Sequence, residues 1–333
     1  VNAEIAAVGS LTARQVEAAL TAATAAPSLH NSQPWRFRTK PSAIELWADF
    51  TREIPVADPN HRELLLACGA ALLNLRLAVR AEGVHVNSSL LPDPARPSLL
   101  AAIRPVGRGP VSPADRALAN AILRRHTNRR PFLPTPVPHA LLTTLRKAAR
   151  AEQAWLATLT PAQLPILRAL VGAAHDTQRQ DPAFAREWTY WTGRHADSTD
   201  GVPARSGGPL PEAQDDWVLR DFSAGQAKPR VDGKDFEPNP LIAVVGSFHD
   251  LPLAHLQAGQ AMQRILLTIT EAGLSASFLS QVVEVPSARR QLRDLIGGGL
   301  WPQIVVRIGY GSPVPTTPRR DVHDVVDVEM PAK

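Results

Sequence analysis

The sequence is poor in sulfur and in rings. Its 333 residues include one cysteine, two methionines and two tyrosines, and aromatic residues make up 5%. A single cysteine excludes an internal disulfide. Cys68 lies in the apolar run LLLACGAALL, where a free thiol is ordinarily inert core. No apolar run reaches the ~18 residues of a membrane span, so none is expected. The N-terminal stretch to Ala26 is rich in alanine but carries Glu4, Arg14 and Glu17. It therefore lacks the apolar centre of a secretion signal, and the expected compartment is the cytoplasm. Several short motifs are also missing. No G-x-G-x-x-G follows a strand, and there is no G-x-x-x-x-G-K-[ST], no H-E-x-x-H and no G-x-S-x-G. The ten histidines are scattered without metal-ligand spacing. These absences argue against the common dinucleotide, nucleotide-triphosphate, zinc and serine-hydrolase sites.

What is present fits a globular chain, with 44% hydrophobic and 20% charged residues. The length suits one large domain or two ordinary ones, with ample core. The net charge of +5 is carried mostly by arginine. That excess is too modest to imply nucleic acid as a partner.

Residues 12–26 read as a helix stopped by Pro27. WRFRTK and AIELWA alternate like two strands. Asp58-Pro59 has the form of a helix start, and that helix runs to a stop at Gly83. VHVNSSLL reads as a strand, Ser112-Pro113 opens a further helix, residues 138–151 are helical, QAWLATL is a strand, and Thr160-Pro161 opens another helix. LIAVVGSF is a buried strand, 252–272 a helix stopped by Gly273, and PQIVVRIGYG a last strand. From about 180 to 240 the composition shifts to Gly, Pro and charge around Trp188, Tyr190, Trp191 and Trp217. A segment of this kind is a lid, a binding loop or disorder. Its aromatics either dock it as a lid or merely pin it to the surface.

ACGAALLNLRLAVRAEG (67–83) and QAGQAMQRILLTITEAG (257–273) match at a spacing of 190, with Gly69 opposite Gly259 and Gly83 opposite Gly273. ARPSLLAAI (95–103) matches ARRQLRDLI (288–296) at a spacing of 193 and reads, like it, as a short helix. The expectation is two copies of one α+β unit, 1–112 and 113–333, the second carrying the insertion at about 180–240.

Two stretches have the chemistry of a site. PSLHNSQPW (27–35) is, by itself, a proline-bounded turn whose tryptophan enters the core. It also suits a flat heterocycle, because Ser28, His30, Asn31 and Gln33 offer donors and acceptors where no helix uses the main chain. RRHTNRRPF (124–132) holds four arginines. Alone it is a solvated helix end. Around a ligand it is a phosphate clamp, with a threonine hydroxyl between guanidinium groups. Near the C-terminus, PVPTTPRRD places Arg319 and Arg320 after a proline-fixed turn.

Taken together, these pieces resemble the nitroreductase-like flavin family. PSLHNSQPW looks like the family's PSxxNxQPW loop beside the flavin ring. RHTNR (125–129) is similar to its R-x-S/T-x-K/R cluster, EAGLSASFLSQ to the segment facing flavin N5, and IGYG with PRR to the C-terminal phosphate arginines. Order and coverage resemble, nearly end to end, the mycobacterial Acg-type branch. The resemblance implies an α+β nitroreductase-like fold in which two fused repeats form an intramolecular pseudo-dimer. In the family the loop and the basic cluster come from two subunits. Here each occurs once, and ARAEQAWLAT stands where a second loop would be.

The resemblance further implies one FMN per monomeric chain. The FMN would be held by Pro27, Ser28, Leu29, Asn31, Gln33, Arg125, Thr127, Arg129, Phe278, Ser280, Gln281, Arg319 and Arg320. Arg129 would lie near flavin N1–C2=O, and no side-chain acid or base is required. The implied partners are NAD(P)H and a small electrophilic acceptor, a nitroaromatic or a quinone. The alternative is an FMN-sequestering or sensing protein whose lid covers the flavin.

Overall fold

The computed structural model describes residues 5–227, 230, 237 and 240–327. Helix α1 (Ala13–Thr24) opens with a capping box: the Thr12 hydroxyl accepts from the Gln15 N–H, and the Gln15 side chain accepts from the Thr12 N–H. The loop 25–34 leads into the hairpin β1 (Trp35–Lys40) and β2 (Ala43–Ala48). Next come α2 (Arg62–Ala81), β3 (Val84–Leu90) and β4 (Leu99–Arg108). Helix α3 (Pro113–Ala121) starts at Ser112, whose hydroxyl accepts from the Asp115 N–H. A second series follows: α4 (His139–Ala151), β5 (Trp155–Thr158), α5 (Leu164–Arg179), α6 (Pro182–Trp191), β6 (Leu241–Ser247) and α7 (Pro252–Glu271). The chain closes with β7 (Ser275–Phe278), α8 (Gln281–Glu284), α9 (Pro286–Leu295), β8 (Trp301–Gly309) and β9 (Val326–Asp327).

The strands form two sheets. One has the order β3-β4-β2-β1-β9, the other β5-β6-β8-β7. Read from β3 and from β7, the two share one order: edge strand, its antiparallel neighbour, then a further antiparallel pair, joined as a hairpin in the first sheet and separated by α5, α6 and the insertion in the second. Strand β9 adds the C-terminal chain, in parallel, to the edge of the first sheet at Phe37 and Arg38.

Helices α2 and α7 begin and end 190 residues apart and pack on each other. Their contact is reciprocal. A Cβ on Gly69 would run into the Leu256 carbonyl oxygen, and one on Gly259 into that of Leu66. Only glycine permits backbones this close. Beside the crossing, Gln263 Nε2 donates to Asn74 Oδ1 at 2.7 Å.

The second sheet is covered on both faces. Ala243 and Val245 of β6 join the core shared with α2, and Ile242 and Val244 join a second core under α5, α8 and α9.

Several sequence expectations need correction. Residues 99–103 belong to strand β4 and do not form a short helix, so the match at a spacing of 193 pairs a strand with a helix. Helix α2 starts at Arg62 behind a left-handed His61, while the Asp58 carboxylate reaches the Leu64 N–H. Helix α5 starts at Leu164, beyond Thr160-Pro161. Helix α2 is also long and apolar enough to cross a membrane by composition, but most of its residues are buried inside the protein. The insertion is not merely loop, since it begins with α6, capped by the Asp181 carboxylate. Residues 228–229, 231–236 and 238–239 of the insertion lie outside the described residues.

Candidate cofactor site

The loop after α1 is held in an unusual shape. His30, Asn31 and Gln33 have φ of 48°, 58° and 55°. Left-handed backbone at non-glycine residues costs roughly 1–3 kcal/mol each and persists only where its surroundings hold it. Here Asn31 Nδ2 donates to the carbonyls of Gly201 and Pro318, each at 3.0 Å. Gln33 Nε2 donates to Thr199 O at 2.8 Å, and Gln33 Oε1 accepts from the Arg320 N–H at 2.9 Å. The Ser28 hydroxyl accepts from the Gln33 N–H at 2.9 Å. Trp35 closes the stretch and is wholly buried in the core.

This loop forms one wall of a cavity of about 1010 Å³, open mouth included. Pro27, Ser28, Leu29 and Asn31 line that wall, and Arg125, Thr127, Arg129 and Arg319 face it from the basic cluster and the C-terminal turn. Phe278 and Ser280 border it at the end of β7, while α2 and α7 contribute Leu66, Ala67 and Met262. Three of the residues singled out in the sequence are not among those lining it. Gln33 and Arg320 bond to each other behind the loop, and Gln281 lines a smaller neighbouring cleft.

The electrostatics of this cavity favour an anion. Arg125 is buried, and its Nε has no partner, as is also true of Arg319 Nε. The other contacts of these two groups are to main-chain carbonyls, such as Ala25, Ala26 and Pro318. Arg129 donates to Ser206 O at 3.0 Å and lies over the Phe222 ring at 4.3 Å. Among the described residues none of the three is ion-paired to a carboxylate. Burial pushes Arg125 down to about 10, and burial together with the Arg125 charge pushes Arg129 to about 10 and Arg319 to about 9. His126 is lowered by the same burial and by the same two neighbours, Arg125 and Arg319. Clustered cations without acids are costly unless an anion joins them.

Besides His30, which the loop motif already marks, several residues of the cavity were not singled out in the sequence. Glu63 is its one acidic lining residue, on the first turn of α2. Burial raises its carboxyl to about 7, against the opposing pull of Arg62. His30 lines the cavity too, and burial holds its imidazole down to about 3. Met262, Gln303 and Phe222 line it as well. Nothing local in the sequence distinguishes Glu63, because an Arg-Glu pair at a helix start ordinarily faces water.

Phe222 comes from the insertion. This segment packs over the loop, with Trp188 edge-on to His30 at 5.0 Å and tilted against Phe222 at 4.7 Å. The Glu187 carboxylate accepts from the N–H groups of Val56 and Ala57, at 3.0 and 2.8 Å. Arg220 pairs with the buried Glu284 of α8 at 2.6 Å. Trp217 is buried in the core behind the second sheet, whereas Tyr190 is 59% exposed and contributes little to docking.

No protein-family model matches the chain. A Mycobacterium tuberculosis protein named "Putative NAD(P)H nitroreductase Rv3131" is 35% identical over 95% of this chain and 92% of its own length. A second from the same organism, "Putative NAD(P)H nitroreductase acg", is 31% identical over 94% and 95%. Among solved structures, a nitroreductase with bound FMN from Desulfitobacterium hafniense aligns with 62% of this chain and 95% of its own at 14% identity and a TM-score of 0.39. A nitroreductase with bound FMN from Bacteroides fragilis gives 61%, 94%, 14% and 0.38 for the same measures. The structural scores are too low to carry an argument, and the assignment rests on the two relatives, matched almost end to end. By that measure the chain belongs to the nitroreductase-like family, on its Acg-type branch.

Proposed function

We propose that the protein is an FMN oxidoreductase, passing reducing equivalents from NAD(P)H to a small electrophilic acceptor such as a nitroaromatic or a quinone. The observation that carries this reading is the convergence on one cavity of Arg125, Arg129 and Arg319, none of them ion-paired to a carboxylate among the described residues. Arg125 and Arg319 have the donors for a phosphate, including the two unpartnered Nε groups, and Thr127 adds a hydroxyl between them. Ser28 and Asn31 offer polar edges to a flat ring, with Leu66, Ala67, Met262 and Phe278 as its apolar surroundings. When bound, FMN supplies the hydride chemistry. The protein's share is to hold the phosphate, orient the ring and restrict water. The names of the two mycobacterial relatives support NAD(P)H as the reductant.

In this reading the chain is a monomer with one flavin, built from repeats at 1–112 and 113–333. The loop 25–34 stands between α1 and β1. At the matching place between α4 and β5 there are only Glu152, Gln153 and Ala154. Glu152 is buried and paired with Arg76 at 2.7 Å and Arg264 at 2.6 Å, which leaves no comparable loop for a second ring.

The docked insertion favours a second reading, a protein that holds FMN beneath a lid without nitroreductase turnover. Phe222 lines the cavity, and Trp188 braces both Phe222 and His30. One experiment addresses both readings. The purified protein should carry FMN near one per chain, and the flavin should bleach when mixed with NADH or NADPH in a stopped-flow instrument. Colourless protein that takes up no added FMN would refute both readings. Bound FMN that bleaches only over minutes would favour the lid-covered alternative.

A further inference from the structure

The cavity holds one acid among its cations. We propose that Glu63 is its proton donor, whose carboxyl delivers a proton to the oxygen of an acceptor reduced there. The inference rests on the FMN oxidoreductase reading and adds to it a catalytic side chain, which the chemistry of flavin alone does not demand.

The geometry has three parts. Glu63 sits on the first turn of a long, buried helix and lines the cavity beside Leu66, Ala67 and Gln303. One carboxyl oxygen, Oε1, accepts from Arg62 Nη2. No described residue hydrogen-bonds to the other oxygen, Oε2, so a proton carried there is free to be given away. Arg62 is itself fixed by the Gln303 carbonyl, and by the Val283 carbonyl at 3.3 Å. Arg62 is thus anchored without Glu63, and a purely structural ion pair explains only half of the carboxylate.

The groups around Glu63 leave it neither fully charged nor fully neutral. Arg62 favours the carboxylate, while burial, Asp58 and Glu284 of α8 oppose it. Arg52, Glu53 and Asp58 share a small cleft with it on its other side. His30, across the cavity, stays neutral. A donor that ionises near working pH gives up its proton and regains it readily.

For a quinone the balance is simple. The acceptor takes a hydride, two electrons and one proton, originating from NAD(P)H. Glu63 Oε2–H supplies the second proton to the oxygen, giving the hydroquinone, and solvent reprotonates the carboxylate.

The test has a spectroscopic arm and a kinetic arm. Infrared difference spectra of the protein without FMN, titrated through neutrality, should lose one carboxylic C=O band with a midpoint of about 7. Glu63→Gln should lack that band. In the FMN-loaded protein, reoxidation of the reduced flavin by 1,4-naphthoquinone should slow about 100-fold in Glu63→Gln and lose its pH dependence. Glu63→Asp should recover part of the rate. A band titrating at the ordinary glutamate value, or a Glu63→Gln protein reoxidised at the wild-type rate, would overturn the proposal. The infrared arm needs no flavin, so failure to bind FMN would count against the functional reading and stay distinguishable from failure of this one.

Discussion

Arg125 is the residue on which the functional reading can be tested most directly. A buried guanidinium with an unpartnered Nε and only main-chain acceptors is matched to something outside the chain. Removing it should weaken FMN binding by about 2–4 kcal/mol, since a charge-assisted pair is lost and the phosphate stays partly desolvated. Riboflavin has no phosphate and should lose far less. Fluorescence titration of Arg125→Ala with both ligands decides the matter, and equal losses would show that Arg125 does not hold the phosphate. Arg125 was legible in the sequence because a run of arginines around a threonine is a local pattern. Glu63 and Phe222 were not. Their places in the cavity depend on where α2 and the insertion come to rest, and no spacing in the chain records that. Arg320 shows the converse, since adjacent arginines need not share a site. Arg319 faces the cavity, and Arg320 turns to Asp324 O and to the back of the loop.

At the scale of elements, the helices and most strands could be read from period and caps. The region after β3 could not, because ARPSLLAAI carries an apolar spacing that serves a strand paired with β2 and β3 as well as it serves a helix. The insertion was legible as a change of composition, but its docking was not. That docking draws on contacts spread over the loop, the segment before α2 and the second sheet, and the Arg220–Glu284 pair is buried on both sides. Removing Arg220 strands a buried carboxylate, a loss of about 3–5 kcal/mol. Arg220→Met should therefore raise hydrogen exchange across α6 and residues 217–223, and speed flavin bleaching by NAD(P)H if the lid limits it. Unchanged exchange would mean that the aromatic contacts of Trp188 and Trp217 suffice. The pair also sets a pH dependence. Despite burial, Arg220 chiefly holds the Glu284 carboxyl down to about 2, well below the usual glutamate range. A depressed carboxylate contributes stability above its unfolded value, and that contribution fades as the pH falls from there through about 2. Lid docking should accordingly be steady through neutrality and weaken only in acid.

The whole molecule turns on the crossing of α2 and α7. These helices carry the clearest internal match in the sequence, and they bring the two halves of the cavity together: Leu66 and Ala67 from one, Met262 from the other. The closeness comes from Gly69 and Gly259, each set against the other helix's main chain. Main chain cannot swing aside as a side chain can, so a methyl group there must push the helices apart. Gly259→Ala should destabilise the protein by about 1–3 kcal/mol, the usual range for overpacking a tight core. It should also weaken FMN binding, because widening the crossing moves α2, and with it Leu66 and Ala67, away from Met262. Gly172 in α5 provides the control: a Cβ there meets nothing within 4 Å. Gly172→Ala should be neutral or stabilising by up to about 1 kcal/mol, as expected for glycine to alanine within a helix. Thermal unfolding and FMN titration of the two variants side by side read both effects. If Gly259→Ala behaves like Gly172→Ala in both measurements, the crossing is looser than its glycines imply, and the cavity does not depend on it.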